Sequence, residues 1–233
     1  MKISKRSLRT LPGLLLLEML SPILLLSGIL LAYFVNLSGS GAAAIVTAMI
    51  PSLLTIAIWI ICAVAIYGIM ELSPLFAYAW YLHLIYFIIK AVTLVIEGVG
   101  AVANQADAGT VSAIELVPNL LSSLREFIGI LSQAMLLFGF SSVMKKTGQV
   151  KLNKSCRVIA IVCLTLGNLS LMLDVVGTIV NWLNPEAAAS LSGITAVNVV
   201  IAALTVIISI PTYIAVRKSC INVYQLLFKA QEV

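Results

Sequence analysis

Charged side chains are scarce in this sequence. Only 10% of its 233 residues are Asp, Glu, Lys or Arg, whereas 61% are hydrophobic. Soluble domains carry about 25% charged residues. The composition therefore excludes a water-soluble globular protein, and the length leaves no room for an independent soluble domain beside the hydrophobic runs described below.

Groups that hold metals and cofactors are also few. The chain has one histidine and four cysteines, with no Cys-x-x-Cys pair, which argues against a structural zinc site and against a haem held by two histidines. The positions of the cysteines, in or beside hydrophobic runs, do not make a disulfide framework. The Gly-rich Lys-Ser/Thr motif of ATP-binding loops is missing too. We expect no cofactor, no bound metal and no enzymatic activity.

Six long hydrophobic runs are what the sequence has in abundance. Each is close to or above the ~20 residues that an α-helix needs to cross a bilayer. We predict an all-α polytopic membrane protein, a single transmembrane domain over residues 1–233 folded as a six-helix bundle. The first run has no convincing small-residue cleavage site, so we interpret it as a retained span and not as a signal peptide. The runs cover about residues 11 to 35, 43 to 70, 74 to 98, 119 to 144, 157 to 183 and 189 to 216.

The basic residues around these runs lie in segments that a six-span topology places on the same side of the membrane. They precede the first run, fill the segment between the fourth and fifth, and follow the sixth, whereas the loops 36–41, 98–118 and 184–189 contain none. The positive-inside rule therefore places both termini in the cytoplasm. We expect an integral protein of a bacterial-type plasma membrane, surrounded by lipid, and no nucleic-acid partner despite the net charge of +5.

The third run combines hydrophobic length with ionisable residues. His83, Lys90 and Glu97 are seven residues apart, and Tyr86 and Thr93 fall between them at spacings of three and four. These five residues share one face of a helix. An ammonium group in hydrocarbon costs about 2.5 kcal/mol or more, so this polar stripe should face protein or water.

Polar residues at the same depth occur in three further runs. At 1.5 Å of rise per residue, Lys90, Glu126, Asp174 and Asn198 each lie roughly 10 to 15 Å from the outer end of their own predicted helix. Arg125 either joins this layer or extends outward along the helix. An unpaired charge there would be strongly disfavoured, so we predict that Lys90 pairs with Asp174 or Glu126.

A sparser polar level is predicted nearer the cytoplasm. Glu18 and His83 each lie roughly 10 to 14 Å from the cytoplasmic end of their helices. Gln133 shares the helix face of Glu126 and Gly129. Histidine exchanges protons near neutral pH, so His83 serves either as a proton relay or simply as a hydrogen-bonded packing residue.

Two functions fit these polar levels. In the first, they line an outward-facing site in a solute-binding or transport component for a small polar solute or ion, driven by an ion gradient or a partner protein. In the second, the buried charges only hold helices together, and the chain is a non-transporting subunit of a membrane complex, beside another protein or a second copy. Ionisable residues within membranes favour the first. The candidate substrate-binding or ion-pathway residues are Lys90, Glu126, Asp174, Asn198, Arg125, Glu97, His83 and Glu18.

Two families offer limited resemblances. The size and predicted topology are similar to those of the substrate-binding subunits of energy-coupling-factor vitamin transporters, although the first run lacks the Ala-x-x-x-Ala pattern by which that family docks its partner. The segment Ser38-Gly39-Ser40-Gly41, with His83 downstream, resembles the serine motif of rhomboid proteases. Ser38, however, stands where that motif has its first glycine, and His83 lacks the glycine context. An intramembrane enzyme is therefore the third interpretation.

Overall fold

The described part of the protein is entirely helical. A computed structural model of the chain describes residues 3–19, 41–103, 111–183 and 192–229. Within these ranges there are six α-helices and no strand, which confirms the all-α prediction. A short 3₁₀ turn at Met70–Leu72 precedes the third helix, and a π-helical turn at Gln225–Lys229 follows the sixth. The helices are α1 Lys5–Met19, α2 Gly41–Tyr67, α3 Pro74–Ala103, α4 Val111–Lys146, α5 Val150–Leu183 and α6 Ser192–Tyr224.

Three of the helices are long and apolar enough to cross a membrane. Among the described residues these stretches are Pro74–Thr93, Asn119–Lys146 and Val150–Val180, in α3, α4 and α5. They correspond to the third, fourth and fifth predicted runs. Most of the first run lies outside the described residues, since α1 ends at Met19. The spans predicted for the first, second and sixth runs stay predictions.

The turn between α4 and α5 is much shorter than the sequence indicated. We expected a basic loop between residues 144 and 157, but α4 continues to Lys146 and α5 begins at Val150. Gly148 has a φ of 74°, the left-handed conformation that favours glycine. Its N–H donates to the backbone carbonyl of Lys145, and the N–H of Gln149 donates to the backbone carbonyl of Met144. This is the Schellman pattern of a helix end. The basic residues therefore extend the two helices instead of forming a loop.

A side-chain cap and a proline mark the start of helix α3. Ser73 is extended, and its hydroxyl oxygen accepts a hydrogen bond from the backbone N–H of Leu75 at 3.4 Å. Pro74 occupies the first helical position, where a missing N–H costs nothing. This cap fixes the start of the helix that carries the predicted polar stripe.

Each helix packs against the next one along the chain, and the first packs against the last. Helix α1 thus contacts both α2 and α6, and α4 touches α6 as well. In α4, 56% of the residues of the apolar stretch are buried, against 11% in α5. Helix α4 is thus central, while α5 exposes apolar side chains such as Ile161, Leu169 and Met172. Such exposure fits contact with lipid.

The start of α1, the turn after α2 and the end of α6 meet at one end of the helix assembly. The Ser4 N–H donates to the Gly68 carbonyl at 3.0 Å, which joins the start of α1 to the turn after α2. The Arg9 guanidinium donates to the Tyr224 hydroxyl at 2.6 Å, which joins it to the end of α6. Both described ends therefore lie on the same side, and which compartment that side faces stays a prediction.

Candidate functional site: a buried glutamate and histidine pair

The centre of the helix assembly holds one carboxylate and one imidazole. Glu18 on α1 and His83 on α3 are each at most 3% exposed. Glu18 Oε2 and His83 Nε2 lie 3.5 Å apart, and neither atom has a hydrogen-bond partner within the described residues. The sequence placed these two residues at one depth, and the structure brings their side chains face to face.

The other ring nitrogen of His83 has two polar neighbours. Its Nδ1 contacts the Ser132 hydroxyl oxygen of α4 and lies 3.2 Å from the Ala79 carbonyl. The Ser132 hydroxyl also lies within hydrogen-bond distance of that carbonyl, at 2.9 Å. These contacts hold the ring so that Nε2 is the nitrogen that faces Glu18.

The carboxylate of Glu18 is held from two further helices. Gln133 Nε2 on α4 donates to Glu18 Oε1 at 3.0 Å. The thiol of Cys62 on α2 adjoins the same carboxylate. The Glu18 side chain therefore joins α1, α2, α3 and α4, and we refer to Glu18, Cys62, His83, Ser132 and Gln133 as the inner cluster.

An aromatic group covers the inner cluster on its outer side. The Trp59 ring of α2 stacks on Tyr86, with centroids 3.6 Å apart and planes 6° apart. Trp59 also contacts the His83 ring, with centroids 4.5 Å apart. Gly129 of α4 adjoins this stack, because a Cβ there would lie 3.4 Å from the Tyr86 ring. The stack lies between the inner cluster and the level of Lys90, which is two helical turns beyond His83.

A cavity of about 380 Å³ between α2 and α3 reaches His83. Its wall is mostly aromatic and aliphatic. Ile60, Val64 and Tyr67, on the outer part of the wall, are also exposed on the surface of the helix assembly. The imidazole therefore adjoins a space of the size that holds a small molecule. The aromatic residues of the wall are Trp59, Tyr67, Trp80 and Phe87.

The outer polar level is less enclosed. Lys90 is buried, with 6% of its surface exposed, and Thr93 is buried one turn further, which agrees with the prediction that the stripe faces protein. Asp174 on α5 is half-buried and accepts a hydrogen bond from Ser170 at 3.5 Å. The side chains of Glu97 and Asn198 lie outside the described residues. The predicted pairing of Lys90 with Asp174 or Glu126 stays a prediction.

Arg125 and Glu126 lie side by side at the outer level. The Arg125 guanidinium donates to Ser122 at 2.9 Å and lies 3.8 Å from the Glu126 carboxylate. The Glu126 side chain is 61% exposed and that of Arg125 is 19% exposed. Asp174 is a further charged neighbour of Glu126. Arg125 thus joins the layer, and its guanidinium turns toward the start of α4.

Sequence reasoning did not select every member of the inner cluster. Gln133 was on a polar face but was not chosen as a candidate, and Ser132, Cys62 and Trp59 were not chosen either. A hydroxyl or thiol in an apolar helix is common in membrane proteins, so nothing in the sequence singled out these residues. The serine and glycine segment at 38–40 lies outside the described residues. Comparison with protein-family models, curated proteins and solved structures finds no match for this chain.

Proposed function

We propose that this protein is an integral membrane component that binds a small solute or ion and moves it across the bilayer, with proton exchange at Glu18 and His83. The proposal includes six membrane spans, both termini in the cytoplasm and a bacterial-type plasma membrane. Support for the topology comes from three apolar helices of spanning length and from the basic residues at the end where α1 begins and α6 ends.

The observation that carries the proposal is the contact between Glu18 Oε2 and His83 Nε2 at 3.5 Å. With one proton between them, the pair is either a neutral acid and imidazole or an ion pair of zero net charge. Gaining a second proton, or losing the first, leaves a net charge in a buried place, which is strongly disfavoured. A charged solute nearby would offset that cost and change the number of bound protons. Solute binding and proton exchange are therefore linked.

The cavity beside His83 supplies the place for the solute. Trp59 touches both the imidazole and the cavity, so an occupant would lie against the same aromatic group that covers the inner cluster. The outer polar residues Lys90, Arg125, Glu126 and Asp174, with Glu97 and Asn198, are the proposed route to the outer surface. Glu126 is exposed and Asp174 is half-buried, which suits a solute that approaches through water.

Proton movement in proteoliposomes tests this function. The full chain is reconstituted with a pH-sensitive dye in the lumen, and organic cations, carboxylates and sugars are added outside. We expect at least one class to change the lumen pH, and Glu18→Gln to abolish that change. Glu71→Gln, which alters an exposed carboxylate in the turn before α3, serves as the matched control. If no class moves protons through the folded wild-type protein, the transport proposal fails.

A structural role is the second candidate, and one observation favours it. The inner cluster cross-links α1, α3 and α4 through hydrogen bonds of Gln133 and Ser132. Buried polar contacts of this kind stabilise helix packing in membranes by about 0.6 kcal/mol each. If the chain is only a packing subunit, Glu18→Gln should lower stability or assembly without altering any proton movement. The same proteoliposome experiment, combined with a melting curve, distinguishes the two candidates.

A further inference from the structure

A second cavity, which shares no lining residue with the inner cluster, lies between the start of α1 and the end of α6. It occupies about 460 Å³ between α1 and α6. Arg9 comes from α1, and Arg217, Tyr213 and Tyr224 come from α6. Both arginines are exposed. The lining contains no Asp or Glu among the described residues, so the cleft carries two positive charges without a carboxylate in its wall.

Arg9 is held in a defined position in this cleft. One of its terminal nitrogens donates to the Tyr224 hydroxyl at 2.6 Å, and the guanidinium lies 4.8 Å from the centroid of the Tyr224 ring. A guanidinium has five N–H donors in a planar fork that matches two oxygens of a phosphate. Because one nitrogen is bound to Tyr224, the arginine is oriented while its other donors stay available.

Apolar surface adjoins the two arginines and continues along α1 and α6. Leu8, Pro12 and Ile221 contribute apolar surface beside the two arginines. Further along α1 and α6, Leu17, Ile210 and Ile214 are exposed large apolar residues. A ligand with a phosphate at one end and hydrocarbon chains at the other would match both parts. We propose that the α1–α6 cleft binds the phosphate headgroup of an anionic phospholipid.

Charge complementarity favours an anionic lipid over a zwitterionic one. Each basic residue near a membrane surface contributes about 1 kcal/mol to attraction of anionic lipid, which is about a fivefold change in affinity. Removing both arginine charges should therefore weaken binding about twenty-five-fold. Choline headgroups carry a cation beside the phosphate, which the two arginines would repel.

Lipid titration of the purified full chain in detergent tests the proposal. Phosphatidylglycerol should raise the melting temperature at lower concentration than phosphatidylcholine, and soluble glycerol phosphate should have no effect at the same concentration. The double variant Arg9→Gln/Arg217→Gln should need about twenty-five times as much phosphatidylglycerol for the same shift. Lys145→Gln/Lys146→Gln, which also removes two positive charges, at the end of α4, serves as the control and should leave the titration unchanged.

Three results would overturn the proposal. Equal stabilisation by phosphatidylglycerol and phosphatidylcholine would remove the role of charge, and equal protection by glycerol phosphate would assign the cleft to a soluble phosphate compound. An unchanged titration of the double variant would place the lipid elsewhere. If that variant does not fold, Tyr224→Phe keeps the ring but removes the hydroxyl that holds Arg9. It should weaken phosphatidylglycerol binding and leave phosphatidylcholine binding unaltered, and an unchanged phosphatidylglycerol titration would again overturn the proposal.

Discussion

The inner cluster and the outer polar level use similar side chains in different surroundings. Glu18 in the inner cluster is buried and touches His83, Gln133 and Cys62 on three other helices. Glu126 in the outer level is 61% exposed and its ion pair is with the adjacent Arg125. A carboxylate outside the packed interior depends less on its partner, whereas a buried one depends on it strongly. Changes at the inner cluster should therefore have the larger consequences.

The Trp59 and Tyr86 stack separates the two polar levels. It lies directly on the His83 ring, and Lys90 lies two turns further along α3. The two polar levels are thus separate places along one helix face. Because Trp59 contacts the His83 ring, its indole is the natural reporter of events at His83.

Replacing His83 by Leu should have the largest effect on stability. Glu18 Oε2 would lose the group opposite it while staying buried, and breaking a buried pair by removing one partner costs about 3 kcal/mol or more. Unfolding of the purified protein in mixed micelles with increasing SDS measures this. The double variant Glu18→Leu/His83→Leu should recover much of the loss, because no buried charge is left. A double variant as unstable as the sum of the single ones would show that the two side chains do not interact.

Gln133→Leu should have the next largest effect. The change leaves Glu18 Oε1 without its donor at 3.0 Å, and a buried acceptor without a partner costs about 1 to 3 kcal/mol. The same SDS titration measures the loss. In a Glu18→Gln background the loss should shrink, since the remaining amide is uncharged, and an equal loss in both backgrounds would argue against this hydrogen bond.

Ser132→Ala should be milder. It removes the hydroxyl bound to the Ala79 carbonyl, but Nδ1 of His83 stays 3.2 Å from that carbonyl. Interhelical hydrogen bonds in membranes contribute about 0.6 kcal/mol and at most about 1.7 kcal/mol. Unfolding should therefore shift by about that amount. A loss as large as that of His83→Leu would contradict this small contribution of the Ser132 hydroxyl.

Glu126→Gln should have the smallest effect of the four. Its side chain is largely exposed, and surface substitutions usually change stability by no more than about 0.5 kcal/mol. The variant should unfold like the wild type in SDS. A loss of more than about 1 kcal/mol would mean that Glu126 contributes to stability as the inner cluster does. The proposed difference between the two levels would then be wrong.

The sequence predicted helix faces better than it predicted partners. Spacings of three and four residues placed His83, Lys90 and Thr93 on one face, and all three are buried. Periodicity cannot tell which helix covers a face, because that depends on how helices distant in sequence pack. The contact of Glu18 with His83 needs α1 and α3 to converge beside α4, and no local signal encodes this. For the same reason Gln133 and Glu126, on one predicted face, differ in burial.

The fluorescence of Trp59 as a function of pH tests the central claim most directly. Trp59 lies 4.5 Å from the His83 ring, and a protonated imidazole quenches a neighbouring indole. With Trp80 and Trp182 replaced by Phe, the emission of Trp59 should change with pH when the solute class that moves protons in proteoliposomes is present, because a charged occupant offsets the cost of a net charge on the buried pair. His83→Gln should remove this dependence. An emission from the folded protein that is independent of pH in the presence of that solute would show that the pair exchanges no proton, and the proposed mechanism would be wrong.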